Sequence, residues 1–298
     1  MTTTQLSQVL KQIEQLPTLP SILNRIVDIT SQEDSSAADL LEVITTDQSL
    51  TANVLRVANS PVYGVPYRIE SARQAIVLLG FEEVRNIALS SSIFKTLTLK
   101  ANTGLFDRNL FWRHSLLVAT LTRELGPWFP NPRYKTSLFT AGLLHDVGKV
   151  VLDQYFPAEF AEIVETVRQE PDSRPLQIEE RYLGATHAYV GSVLLKRWQL
   201  PPYLVEAVQH HHAPWETKTD RELATVLYYA NLLAWLLGVP SYMDEPLTDL
   251  DQFFASRDKK ALEQAGLLIE RKMIEKKLAT YQDHPQKLEQ LFQQAGEM

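Results

Sequence analysis

Apolar residues recur at three- and four-residue spacing along almost the whole chain, while alternating β-branched runs closed by Asn-Gly or Asp-Gly turns are scarce. That periodicity predicts an all-α fold, a multi-helix bundle in which the apolar stripe of one helix covers that of another. The chain has 298 residues, 45% of them hydrophobic, enough for one large core or two packed ones. Early on, Ser35 or Ser36 can cap a helix carrying Leu40, Leu41, Val43 and Ile44, and Asp47 can cap the next, with Leu50, Val54, Val57 and Ala58 on one face. Pro61, Gly64 and Pro66 are hostile to a helix interior, so residues 60 to 71 should form a loop before Ala72 to Leu79 resumes. Gly80 suits a helix end ahead of a further helix through Val84, Ile87, Ala88 and Ile93.

A second group of breakers, Lys100 to Gly104, divides the chain. The expected organisation is an N-terminal helical bundle over 1–103, a helical core over 104–240 and a helical extension over 241–298. Helices are predicted around Phe111 to Leu125, Lys135 to Leu152, Pro157 to Glu170, His187 to Trp198, Tyr203 to His212 and Glu222 to Leu237. The extension is rich in Glu, Lys and Gln and shows no recognisable chemistry.

The formal charge is −7, from 29 basic and 36 acidic residues, and would repel a phosphate backbone. Basic residues lie in mixed-sign segments such as RKMIEKK at 271 to 277, so direct nucleic-acid binding is not expected. The apolar stretch Leu223 to Leu237 contains Tyr228, Tyr229 and Asn231 and is shorter than the ~20 residues a membrane helix requires. No membrane span is expected. The N-terminus lacks a secretory pattern, and the expected location is the cytoplasm. With no cysteine, any metal must be held by histidine, carboxylate and water.

Six of the seven histidines lie in the central region: His114, His145, His187 and the run His210, His211, His212. Gaps of roughly 25 to 45 residues are what a metal site assembled from several helices of a bundle requires. His145 and Asp146, neighbours on one helix, would diverge by about 100°, so both can face one site only near a helix end, with Asp146 bridging two metals. A cluster of this kind can hold Fe, Mn, Zn or Co, acidify a bound water and direct it at phosphorus. Lys149 could neutralise a phosphate oxygen, or serve as a helix-end charge. Gly142 and Gly148 leave room for a neighbouring helix or a ligand. The histidine run could instead favour the C-terminus of its helix through the macrodipole. Trp112, Trp198, Trp215, Tyr228 and Tyr229 read as core or pocket-wall residues, and Asn53, Asn59 and Tyr63 as partners of local backbone groups.

His114, HDVGK at 145–149, THAYVG at 186–191, WQLPP at 198–202 and HHH at 210–212 together resemble the HD superfamily of metal-dependent phosphohydrolases. LPTLPSILNRIVDI at 16–29, TTDQSLTANVLRVANSPVYG at 45–64 and IESARQAIVLLGFEEVRNIAL at 69–89 narrow the resemblance to the HDOD branch, over about residues 10 to 240. It implies a HD-like core behind an HDOD bundle, similar in fold to HD-GYP cyclic-di-GMP phosphodiesterases. It also implies His114, His145, Asp146, His187, His211 and His212 as metal ligands, with His210 as the alternative register. Asn231 stands where a catalytic relative would place Asp, and its neutral oxygen is a poorer ligand for a hard divalent ion. Leu110 stands four residues before His114, where HD-GYP enzymes with a third metal carry Glu, and APWETKTD after His212 has no GYP-like motif. The expected function is therefore a bacterial regulatory module without turnover, working through a protein partner in a signalling pathway or through a nucleotide or cyclic-dinucleotide ligand. The alternative is a divalent-metal phosphohydrolase acting on a nucleotide or phosphodiester through Asp146 and Lys149.

Overall fold

The computed structural model describes residues 21–31, 35–60, 63–97, 106–129, 137–170, 174–241 and 249–297. The breaker segment at 100–104 and most of the acidic loop around 244–251 lie outside the described residues. Every regular element among those described is helical, as the periodicity predicts. None of these helices is long and apolar enough to cross a membrane. The chain divides into two compact units, residues 18–100 with 286–298, and residues 101–285 with 1–17.

The smaller unit contains α1 (Ser21–Ser31), α2 (Ala37–Thr46), α3 (Gln48–Ala58), α4 (Ala72–Leu79), α5 (Phe81–Leu97) and α17 (Gln286–Glu297). Helix α5 packs against α1, α2, α3 and α4, and α17 lies on α3. Ser36, rather than Ser35, caps α2 in a reciprocal box with Asp39, and Asp47 caps α3 through the Leu50 amide. The stripe read from sequence is buried except for the half-buried Leu41, and Leu40, Val43, Ile44, Val54 and Val57 are each worth about 1.5–3 kcal/mol of transfer free energy. Asn59 closes the loop after α3. Its amide nitrogen donates to the Leu55 and Ile69 carbonyls at 2.7 and 2.8 Å, and its oxygen accepts the Ile69 N–H at 2.7 Å.

The larger unit runs α6 (Arg108–Leu125), α7 (Leu138–Leu144), α8 (Val147–Tyr155), α9 (Pro157–Gln169), α10 (Pro175–Leu183), α11 (His187–Arg197), α12 (Pro202–Gln209), α13 (Arg221–Leu236), α14 (Leu250–Ala255), α15 (Arg257–Gln264) and α16 (Arg271–Gln282). Helix α6 is flanked by α7 and α13, and α11 by α8 and α12. Two details depart from the sequence reading. The helix expected over Lys135 to Leu152 breaks at His145–Asp146, and α10, hidden behind the breaker-rich PDSRP segment, was not anticipated. Both glycines in this stretch mark close helix contacts. A Cβ on Gly142 would lie 2.5 Å from the Ala119 Cα, and one on Gly148 only 1.9 Å from the His187 carbonyl oxygen. Beside them, Arg108 at the start of α6 donates to Asp153 of α8 at 2.7 Å.

Candidate metal centre

Four local features of the chain deliver side chains to one place in the larger unit. The break between α7 and α8 leaves His145 as the last residue of one helix and Asp146 as the cap of the next. The divergence expected of neighbours on a continuous helix thus disappears. Thr186 caps α11 and sets His187 in its first turn, while α12 ends at His210 so that His211 and His212 lie in the turn beyond. His114 comes from the middle of α6. His114, His145, Asp146, Lys149 and His211 have no exposed surface and His187 has 1%, while His212 is half-buried.

The histidine tautomers follow from the partners of Nδ1. His114, His145 and His211 each direct Nδ1 at a backbone carbonyl, of Val239 at 2.8 Å, Gly142 at 2.7 Å and Val208 at 2.6 Å. A carbonyl can only accept, so Nδ1 carries the hydrogen and Nε2 presents a lone pair inward. His187 Nδ1 is held instead by the Glu179 carboxylate at 2.7 Å, and that carboxylate also accepts the His187 backbone N–H at 2.6 Å. Gly184, in the left-handed region at φ 71°, ends α10 and turns the chain so that Glu179 can reach the start of α11.

The inward atoms converge on Asp146. Its Oδ1 lies 3.1 Å from His187 Nε2 and 3.4 Å from His211 Nε2, and its Oδ2 lies 3.3 Å from His145 Nε2 and 3.7 Å from His114 Nε2. His114 and His145 Nε2 are 3.3 Å apart, and His187 and His212 Nε2 are 3.0 Å apart. Two sets of donors result: Asp146, His187, His211 and His212, and His114, His145 and Asp146, each within 4.8 Å. The donors suit a divalent ion. Ligands around a tetrahedral metal with bonds of about 2.05 Å are about 3.3 Å apart, and the fully buried Asp146 Oδ1 and His211 Nε2 have no hydrogen-bond partner in the protein. Such orphaned polar atoms in a core call for something to bind them.

The electrostatics agree. Burial disfavours the Asp146 anion, but the adjacent His145 imidazole and the Lys149 ammonium win and hold its pKa well below the carboxylate range. Burial also disfavours a charged His187, yet the Glu179 carboxylate outweighs it and raises that imidazole to about 9. His211 is pushed down to about 4, chiefly by burial, and stays neutral with its lone pair available.

Other residues named from sequence fall differently. Lys149 is no exposed helix-end charge: its ammonium donates to Asp146 Oδ2 at 2.7 Å and also to Ser241 Oγ. His210 is half-buried, caps α12 and stands outside both donor sets. Asn231, on α13, is 8% exposed and its side-chain oxygen has no hydrogen-bond partner. Sequence reasoning missed Glu179, and it missed Val239 and Ser241, the latter inside the extension in which no chemistry was recognised. Ser241 Oγ donates to Asp146 Oδ2 at 2.7 Å. Replacing Glu179 by Gln keeps the shape but removes the charge behind His187. Metal affinity, measured by competition with a chromophoric chelator, should fall by about 10- to 100-fold, the usual effect of losing such a partner; an unchanged affinity would detach Glu179 from the centre.

Comparison with known proteins identifies the family and the fold. The model of the HDOD domain matches residues 16–214. An HDOD domain protein with unknown function from Geobacter sulfurreducens superposes with a TM-score of 0.79 at 25% identity, covering 99% of this chain and 98% of that one. A candidate phosphohydrolase from Shewanella amazonensis SB2B gives a TM-score of 0.73 at 25% identity, covering 96% and 97%. An uncharacterised Treponema pallidum (strain Nichols) protein is 23% identical over 254 residues, 85% of this chain, and this chain spans about half of that protein's length, 48%. Since the family model extends over about two thirds of its residues, the chain belongs to the HDOD domain family.

Proposed function

We propose that this chain is a bacterial signalling module that does not hydrolyse phosphate esters, and that its HD cluster holds a divalent metal as a fixed centre for a surface engaging a protein partner. One observation carries the reading: the cluster is buried except at the half-buried His212, and its lysine is already committed. A hydrolase must bring a phosphate to the metal and keep a cation free for its oxygens. Here Lys149 has no exposed surface and its ammonium rests on Asp146 and Ser241. When bound, a divalent ion would supply Lewis acidity and a crosslink. The chain's own residues orient the imidazoles through backbone carbonyls and Glu179, exclude water by burial and hold a proton on His187.

The phosphohydrolase reading keeps one support, the likeness to the Shewanella candidate phosphohydrolase over nearly its whole length. A screen of metal-loaded protein against nucleotides and cyclic dinucleotides separates the two. No turnover is expected; hydrolysis at an ordinary enzymatic rate that disappears in Asp146→Ala would establish the enzyme instead.

A pH signature follows from His187. With a metal-free pKa of about 9 it is protonated at neutral pH, and a metal must displace the proton from Nε2. Metal uptake at pH 7.5 should release about one proton, read by calorimetry in buffers of different ionisation enthalpy, and apparent affinity should rise with pH up to about 9. The metal-free fold changes in the opposite sense: the contribution of His187 is fully present below pH 6.5 and is lost as pH rises through about 9. Uptake without proton release contradicts the assignment of His187 as a ligand.

A further inference from the structure

The two oxygens of Asp146 are in unlike situations. A carboxylate offers about two lone-pair sites on each oxygen. On Oδ2 both are taken, by Lys149 Nζ at 2.7 Å and by the Ser241 hydroxyl at 2.7 Å, with a further Lys149 to Ser241 contact tying the donors together. Oδ1 accepts no hydrogen bond, although His187 and His211 Nε2 lie beside it. The imidazoles pair on both sides, His114 with His145 Nε2 to Nε2 at 3.3 Å and His187 with His212 at 3.0 Å, and His211 Nε2, on the Oδ1 side, is left without a partner. Of the two donor sets, the one on the Oδ1 side has four members and the one on the Oδ2 side has three.

From this asymmetry we infer that the chain binds a single divalent ion, at Asp146 Oδ1, His187, His211 and His212, and that the Lys149 ammonium takes the place of a second ion on Oδ2. This deepens, and rests on, the reading of the cluster as a metal centre. The physical argument is one of competing cations. A dication on Oδ2 would have to displace a buried hydrogen bond from Lys149 or Ser241, and would then lie within a few ångströms of an ammonium that has no water to screen it. An ion on the Oδ1 side displaces neither Lys149 nor Ser241; it replaces the His187 to His212 contact and satisfies Asp146 Oδ1 and His211 Nε2, which otherwise have no partner. Three imidazoles and one carboxylate suit zinc or iron(II) better than magnesium or calcium. One ion also removes the clamp that two metals place on the attacking and leaving oxygens of a phosphate ester, in keeping with the absence of turnover proposed above.

The test is stoichiometry on the full chain, stripped with chelator, dialysed against zinc(II) or manganese(II) alone and measured by elemental analysis with protein quantified by amino-acid analysis. One equivalent is expected for the wild type and none retained in His211→Gln. In Lys149→Met, with folding verified by circular dichroism, a second equivalent is expected. Two equivalents in the wild type overturn the inference while leaving the metal-centre reading intact; none after reconstitution overturns both. One equivalent persisting in His211→Gln moves the ion off the Oδ1 side. A folded Lys149→Met that still binds only one equivalent removes lysine as the excluding cation. If Lys149→Met does not fold, the wild-type and His211→Gln values decide the matter.

Discussion

Replacing Asp146 by Ala should cost the metal-free protein about 3–5 kcal/mol, the loss seen when one partner of a buried ion pair is removed. Lys149 would then be a cation without exposed surface that has lost its carboxylate, next to inward-facing imidazoles. For a protein of this size the loss corresponds to a drop in Tm on the order of 10 °C. Metal-stripped protein is specified so that the result reports the ion pair and not a lost ligand. A double-mutant cycle makes the origin explicit: adding Lys149→Met to Asp146→Ala removes the stranded charge and should recover at least half of the deficit. A double variant less stable than Asp146→Ala would show that the buried pair is not what Asp146 contributes.

Gly148→Ala should be nearly as damaging for a different reason. A Cβ at this position would stand 1.9 Å from the His187 carbonyl oxygen and 2.8 Å from the Gly191 amide nitrogen, both backbone atoms that no rotamer change can move. Helices α8 and α11 must separate, and the destabilisation should reach about 3 kcal/mol, the upper end of ordinary overpacking. Since α11 carries His187, the same shift should weaken metal binding. Gly191→Ala is the control, because its Cβ would meet the Gly148 nitrogen at 3.2 Å and Val147 Cγ1 at 3.3 Å, tight contacts that a small shift relieves. Equal stability of the two variants would contradict the close approach of α8 and α11.

Much of this was legible in the sequence, for identifiable reasons. Helical periodicity, the caps at Ser36 and Asp47 and the buried stripe of α3 are local signals, and they survive folding unchanged. The convergence of His114, His145, Asp146, His187, His211 and His212 was expected from their spacing and from the family resemblance, and the structure brings them together. The break at His145–Asp146 was not read, because Gly142 and Gly148 lie within an otherwise continuous apolar pattern and neither is at the break itself. Glu179 escaped notice because a glutamate in QIEERYL looks like any solvated helix residue until the turn at Gly184 buries it against His187. Ser241 lies 95 residues from Asp146 in the chain, and no spacing rule links a lone serine to an aspartate at that distance. The role first expected of Lys149, facing a phosphate, depended on where a long side chain ends, which the HDVGK motif alone does not specify.

The central claim is that the convergent imidazoles and Asp146 form a metal centre, and anomalous diffraction tests it most directly. Crystals of the full chain grown with zinc should give a peak at the zinc edge, absent below it, at about 2.0–2.2 Å from Asp146 Oδ1 and the inward nitrogens of His187, His211 and His212. No anomalous density at the cluster in zinc-saturated crystals, with these side chains ordered, would contradict the account.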